Sequence, residues 1–318
     1  MSISILLALI PPITWGATGI IGTKMGGSAA QQTFGESCGA LILALGVYLF
    51  FVMPNGITVD SRIWLVGLCS GLFWSVGTVG QFFAYKKMGV SAAFPLSTAG
   101  QIVCNALMAA AVLGEWTTLN MWFFGIISIA LVTVGALLTA ARSKAEKKTA
   151  KKRPSTYMQG LFALLLSTIG FMLYFVFPNL LVKVGFISEK IHNANNGINY
   201  MTAIVTPQAV GQVIGSALIG YFILHEKQLL GKPTFKNLVT GINWGIGNLF
   251  MFISTANPAI GQATATTLSQ LGIVVGTFGG IYILHERKTS DQMVKIILGS
   301  ALVIIGSILI TNLKLLSL

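Results

Sequence analysis

Two stretches set chemically capable side chains into an otherwise apolar chain: Gln32-Thr-Phe-Gly35-Glu36-Ser-Cys-Gly39 and Gln208-Ala-Val-Gly211-Gln212-Val-Ile-Gly215. In each, Gln, Gly, Glu or Gln, and Gly fall at i, i+3, i+4 and i+7, on one helical face. The first lies within Ala30 to Met53, long enough to cross a bilayer, which takes about 20 residues. A charged carboxylate in hydrocarbon costs roughly 2.5 kcal/mol or more, so Glu36 is expected to face a protein-lined cavity. Three roles are open to it. It can carry a proton that couples solute movement to the proton gradient. It can hydrogen-bond a solute or a neighbouring helix, or pair with Lys24. It can also hold an interfacial structural position.

Similar faces recur. Trp74, Gly77, Thr78 and Gln81 share the spacing i, i+3, i+4, i+7, as do Trp244, Gly247, Asn248 and Met251, with Asn243 beside Trp244. Gln101 and Asn105 stand one turn apart, and Gln270 lies in a Ser/Thr-rich span. Bare amides are unfavourable against lipid, so these faces should point inward. An indole beside an amide suits a small polyol, because C–H faces pack on the ring and the amide pairs with hydroxyls. The competing reading is helix packing through small residues and interhelical amide bonds. Trp15 follows Pro11-Pro12, which should kink or open its helix and free carbonyls toward a cavity. The candidate solute-binding residues are therefore Trp15, Glu36, Trp74, Gln81, Gln101, Asn105, Gln208, Gln212, Asn243, Trp244, Asn248 and Gln270.

Elements that position such side chains must be membrane helices. Of 318 residues, 54% are hydrophobic and only 9% charged, against about 25% charged in a soluble domain. Mean hydropathy is +0.80. Met1 to Ile10 is apolar without a basic leader and runs directly into a span, unlike a cleaved signal peptide. Ten spans are expected near 3–23, 32–53, 63–85, 91–113, 121–140, 158–180, 201–224, 236–256, 261–284 and 292–312. The net charge of +12 reads as a topology signal, not as nucleic-acid binding. Sixteen of the twenty Lys and Arg residues fall in the loops after odd-numbered spans, seven of them between Arg142 and Arg153. The positive-inside rule puts those loops in the cytoplasm and both termini outside. Residues 142–156 form a basic cytoplasmic linker, suited to anionic headgroups, between five-helix units 1–141 and 157–318.

The two units repeat one another. Gly71-x-x-Trp74-x-x-Gly77 matches Gly241-x-x-Trp244-x-x-Gly247, Thr14-Trp15-Gly16 matches Thr168-Ile169-Gly170, and Glu115 and Glu286 close spans 4 and 9. An odd number of spans per copy gives the copies opposite orientations, as in secondary transporters that work by alternating access around a midplane site. The expected fold is all-α and integral to the membrane, with ten transmembrane helices as two inverted five-helix repeats. Cys38, Cys69 and Cys104 lie in apolar stretches and read as reduced packing residues. The three histidines lie at span ends or in a loop, where metal binding or catalysis is not expected. No phosphate-binding glycine loop, hydrolase elbow or paired Cys/His motif occurs. No catalytic residue, metal or cofactor is expected.

Two inverted fives with short loops and a glutamate closing spans 4 and 9 resemble the drug/metabolite transporter superfamily. More narrowly, Pro12-Ile-Thr14-Trp15-Gly16, the Gln32…Glu36 face, Gly71-x-x-Trp74-x-x-Gly77, Asn243-Trp244-Gly-Ile-Gly247-Asn248 and Leu268-Ser269-Gln270 resemble the bacterial glucose/ribose uptake proteins, over essentially the whole chain. The resemblance implies a multi-pass protein of the bacterial cytoplasmic membrane that imports ribose or glucose, with protons as the coupling ion. It also implies a cavity formed by spans 1–4 and 6–9, with spans 5 and 10 peripheral. The alternative is a superfamily exporter of amino acids or small drugs, and further off a non-transporting receptor or enzyme. The abundance of amides argues against a drug cavity. The lack of a soluble domain or catalytic constellation argues against the other two.

Overall fold

A chain this apolar has no water inside the bilayer to satisfy its backbone, so it must form helices. The computed structural model describes residues 3–114, 116–141, 154–256, 265, 268–269 and 271–316. Those residues are helical with short connections. Eight of their helices are long and apolar enough to cross a membrane. We label the long helices α1 (Ile10–Met25), α2 (Ala29–Val47), α3 (Ser61–Met88), α4 (Val90–Met108), α5 (Leu119–Thr139), α6 (Pro154–Lys183), α7 (Ile198–Leu218), α8 (Leu238–Ala256), α9 (Gly272–Tyr282) and α10 (Ser290–Thr311). Helices α8 and α9 stand where the eighth and ninth spans are expected. Of 261–284, residues 261–264, 266, 267 and Gln270 lie outside the described residues, as do Glu115 and the linker residues 142–153.

Local chemistry sets the helix ends. Ser28 and Gln31 form a capping box at the start of α2, and Thr289 and Gln292 form another at α10. Asp60 caps α3 through the Ile63 amide at 2.9 Å. Such caps satisfy N–H groups that the first turn leaves open. The start of α4 is capped from elsewhere: the Glu286 carboxylate accepts from the Val90 amide at 2.6 Å and also from the Ser91 side chain. The α1 prolines stand at a break in the span, as expected. A helical segment Ile3–Ala8 ends in a turn at Leu9, and α1 restarts at Ile10 with Pro11 and Pro12 in its first turn, where no backbone donor is needed. The Ile10 and Pro11 carbonyls accept from the Thr14 hydroxyl at 3.0 and 3.1 Å and are not left free.

Large apolar side chains such as Phe50, Phe123 and Phe222 point outward, while many buried positions are Gly, Ala, Ser and Thr. Lipid tails are as apolar as leucine, so helices associate through close packing of small residues. Helix α3 packs on α6 and α7, α2 on α7 and α8, α1 on α8 and α9, α4 on α6 and α9, and α5 on α10. At α2–α8, a Cβ added at Gly241 would strike the Glu36 carbonyl, and one at Gly39 would strike the Leu238 carbonyl. At α3–α7, a Cβ at Gly71 would strike the Gln208 carbonyl. Cys38, Cys69 and Cys104 are free and only half-buried, less deeply packed than expected.

Gly241→Leu should push α2 and α8 apart. A loss of about 1–3 kcal/mol is expected for overpacking such a contact, seen as a lower thermal midpoint in detergent. Gly46→Leu, where an added Cβ meets nothing within 4 Å, should leave the midpoint unchanged.

Candidate functional site

The close approach of α2, α3, α7 and α8 brings the indoles and amides of both halves together. Trp74 on α3 is fully buried, and its ring lies 5.1 Å from that of Trp244 on α8. Tyr174 on α6 completes an aromatic wall, 6.2 Å from Trp244. Its hydroxyl accepts from the Asn248 amide at 3.3 Å. Gln208 on α7 donates to the Ser70 hydroxyl at 3.0 Å, and Ser70 donates to the Tyr174 carbonyl at 2.9 Å. One chain of hydrogen bonds therefore ties α7 to α3 and α3 to α6 beside the tryptophans.

These residues border a cavity lined by Gln208, Gln212, Tyr174, Trp244 and Asn248 on its polar side and by Leu43, Val47 and Leu249 on its apolar side. Its volume is about 20 Å³, room for about one water molecule. A monosaccharide is far larger, so the helices must part to admit one. The Gln212 side-chain oxygen on the cavity wall lacks a protein partner, and so does the buried indole N–H of Trp74, whose ring contacts Trp244. A buried unmet donor or acceptor costs about 1–3 kcal/mol. One donor and one acceptor left open next to an aromatic wall suit a molecule that carries hydroxyls.

The other candidates fall into separate groups. Glu36 is buried, and one of its carboxylate oxygens has no partner. It does not line the cavity, since Leu43 enters it about two turns further along α2. No Glu36–Lys24 ion pair forms; among the described residues the one salt bridge is Lys295–Asp291. Gln32 donates to the Gly22 carbonyl at 2.6 Å, fixing α2 to the end of α1. Gln81 donates to Ser97 at 2.9 Å and so links α3 to α4, while Gln101 donates to the same hydroxyl at 3.2 Å from within α4. The Asn105 side-chain oxygen is buried without a partner. Trp15 packs over Gly247, with its indole N–H likewise unmet. Asn243 faces α1, donating to the Thr14 carbonyl at 2.7 Å and the Thr18 hydroxyl at 3.2 Å. The structure thus gathers Trp74, Trp244, Asn248, Gln208 and Gln212. It leaves Trp15, Glu36, Gln81, Gln101, Asn105 and Asn243 outside that group.

Sequence reasoning missed Tyr174 and Ser70. Both carried a readable signal. Ser70 stands one turn before Trp74, and Tyr174 stands one turn after Gly170 of the repeat motif.

An apolar helix bundle with indoles and amides around a small enclosed space defines a membrane protein suited to a small polar solute. The chain belongs to the sugar transport protein family, whose model matches residues 6–313; it is thereby placed among transport proteins and not enzymes. It is 42% identical to a putative sugar uptake protein of Lactiplantibacillus plantarum, over 98% of this chain and 99% of that one. It is 36% identical to the glucose uptake protein GlcU of Bacillus subtilis, over 96% of each. A crystal structure with 15% sequence identity aligns with a TM-score of 0.57 over 98% of this chain and 97% of that one, a likeness of fold alone.

Ser70→Ala removes the acceptor of Gln208 and the donor to Tyr174. A loss of about 1–3 kcal/mol is expected, measured as earlier unfolding in an SDS titration.

Proposed function

We propose that the protein is a secondary-active permease that imports a monosaccharide, ribose or glucose, across the bacterial cytoplasmic membrane. The observation that carries this reading is the Trp74–Trp244–Tyr174 wall facing Gln208, Gln212 and Asn248. Rings present faces to sugar C–H groups, and amides present paired donors and acceptors to neighbouring hydroxyls. The names of the relatives support a sugar. Tyr174 joins the set as a further hydroxyl-bearing ligand.

Ten membrane helices as two inverted repeats, residues 1–141 and 157–318 joined by the basic linker, are the proposed architecture. The packing supports it. Exchanging α1–α5 with α6–α10 maps α3–α6 onto α8–α1, α3–α7 onto α8–α2, and α4–α6 onto α9–α1, all of which occur. The pairs α2–α7, α4–α9 and α5–α10 map onto themselves and also occur. Alternating access follows as an exchange of conformations between the halves. The charge bias supports a topology with both termini outside.

Glu36 is the proposed proton carrier. It is a buried carboxylate with one oxygen unmet. Lying outside the cavity, it acts through α2, whose Leu43 lines the cavity. Trp15, Gln81, Gln101, Asn105, Asn243 and Gln270 remain proposed contacts for states in which the helices have separated.

The test is uptake of labelled ribose and glucose by purified protein in liposomes, with and without an inward proton gradient. Accumulation of one sugar, collapsed by a protonophore, is the expected result. Flux of neither sugar would overturn the reading. Glu36→Gln should abolish gradient-driven accumulation and leave counterflow exchange intact. Loss of both activities would remove Glu36 from coupling.

A further inference from the structure

The glycine crossings fix how the two halves correspond. At α2–α8, Gly241 lies against the Glu36 carbonyl and the Ala40 amide; at α7–α3, Gly71 lies against the Gln208 carbonyl and the Gln212 amide. Gly39 meets the Leu238 carbonyl as Gly211 meets that of Leu68. Gly35 stands against Asn237 as Pro207 stands against Gly67, and Leu43 against Gly245 as Gly215 against Ser75. The π-helical ends Tyr48–Val52 and Ile219–Ile223 fall within one residue of the same place. Packing therefore pairs Gly39 with Gly211, one turn away from the pairing that motif spacing suggests. Glu36 becomes the counterpart of Gln208, and Ala40 that of Gln212.

Under this pairing the lining of the cavity has a second image on α2, α3 and α7. Gln208 and Val205 map onto Glu36 and Thr33, Trp244 and Asn248 onto Trp74 and Thr78, and Ala40 onto Gln212. All five image residues are at most 2% exposed. Each keeps one polar atom without a protein partner: Glu36 Oε2, Thr33 Oγ1, Trp74 Nε1, Thr78 Oγ1 and Gln212 Oε1. The remaining polar counterparts are bonded. Ser37 and Ser216 meet at 2.8 Å, and Ser75 donates to the Gln212 carbonyl at 2.9 Å. Buried polar atoms without partners are rare, and five that map together onto one cavity call for a ligand. On the topology that the charge bias supports, Gln208 lies in the outer half of the bundle and Glu36 in the cytoplasmic half. The cytoplasmic half is shut here. Phe82 lies against Gly22, Tyr85 against Gly19, and Gln32 donates to the Gly22 carbonyl at 2.6 Å.

We propose that Glu36, Thr33, Trp74, Thr78 and Gln212 form a second sugar site, open to the cytoplasm when the present cavity closes. The residue types suit the same solute. A carboxylate accepts from neighbouring hydroxyls, threonine hydroxyls donate or accept, and the indole N–H donates. The Trp74 ring offers its face to sugar C–H groups, as Trp244 does in the present cavity. Gln212 belongs to both sites and stays with the solute as the halves exchange conformations. Glu36, outside the present cavity, lines the one that replaces it, so proton and sugar meet there. The asymmetry of the repeat, glutamine in one copy and glutamate in the other, thereby puts the carboxylate on the side where sugar is released. The inference rests on the inverted-repeat and monosaccharide readings above.

Thiol labelling tests it, in a background with Cys38, Cys69 and Cys104 replaced by alanine. Thr78→Cys and its counterpart Asn248→Cys are treated with a membrane-impermeant methanethiosulfonate reagent, in inside-out and in right-side-out vesicles. Thr78→Cys should react only from the cytoplasmic face and Asn248→Cys only from the outer face. Saturating glucose or ribose should slow both reactions about tenfold, as expected when sugar fills about nine sites in ten. Thr33→Cys should behave as Thr78→Cys does, and it decides the matter if the Thr78 variant does not fold. Face-specific labelling that neither sugar slows would sink the sugar reading and keep the second site. Protection of Asn248→Cys alone would leave one sugar site and overturn the proposal. So would the absence of any reaction from the cytoplasmic face at Thr78→Cys and Thr33→Cys, whatever Asn248→Cys does.

Discussion

Helices α2 and α8, and helices α7 and α3, meet backbone to backbone because glycines occupy the crossings. With no hydrophobic force between helices in lipid, this proximity is what holds four helices together. It has a chemical consequence. Side chains one turn away on either side, Trp74 and Trp244 on two helices and Gln208 and Gln212 on another, are forced into one small volume. A methyl group at Gly39, Gly71 or Gly241 would separate the indoles from the amides as surely as it would separate the helices.

Polar groups in that interior divide by whether the protein satisfies them. Asn243, Gln32 and Gln81 have partners on neighbouring helices and hold the bundle together, and Gln101 is satisfied within α4. Gln212 keeps an open atom on the cavity wall, and Trp74 keeps one next to Trp244. An unmet buried group is costly, so such atoms are expected where a ligand or water completes them. The volume there, about 20 Å³, matches about one water molecule, so a monosaccharide enters only if the helices part. Glu36 belongs to neither group. It is buried and incompletely bonded, and it stands on the helix that touches both α7 and α8.

Much of this was legible in the sequence, because glycine spacing and indole spacing both follow the helical period. The Gly71/Trp74/Gly77 and Gly241/Trp244/Gly247 faces could be placed inward before any coordinates were known. Partner choice could not. Asn243 and Asn248 stand five residues apart on one helix, yet one faces α1 and the other the cavity, a distinction set by which helices flank α8. Gln81 and Gln101 read as solute ligands but satisfy each other's neighbour, Ser97. Pro11 and Pro12 read as a break, and one falls at Leu9 just ahead of them, but the carbonyls it was expected to free near Thr14 stay bonded because the prolines open the new helix. Ser70 and Tyr174 were missed because Ser and Tyr pass for ordinary packing residues until a partner such as Gln208 or Asn248 is seen against them.

The central claim is that the space between the indoles and amides is where sugar binds. Equilibrium binding of labelled glucose and ribose to purified protein tests it most directly, comparing the parent with Asn248→Ala and with Asn179→Ala, whose side chain bonds only within its own helix at an exposed position. Loss of binding of one sugar by at least tenfold with Asn248→Ala, and none with Asn179→Ala, is the predicted result. Equal affinity in all three proteins would contradict the account.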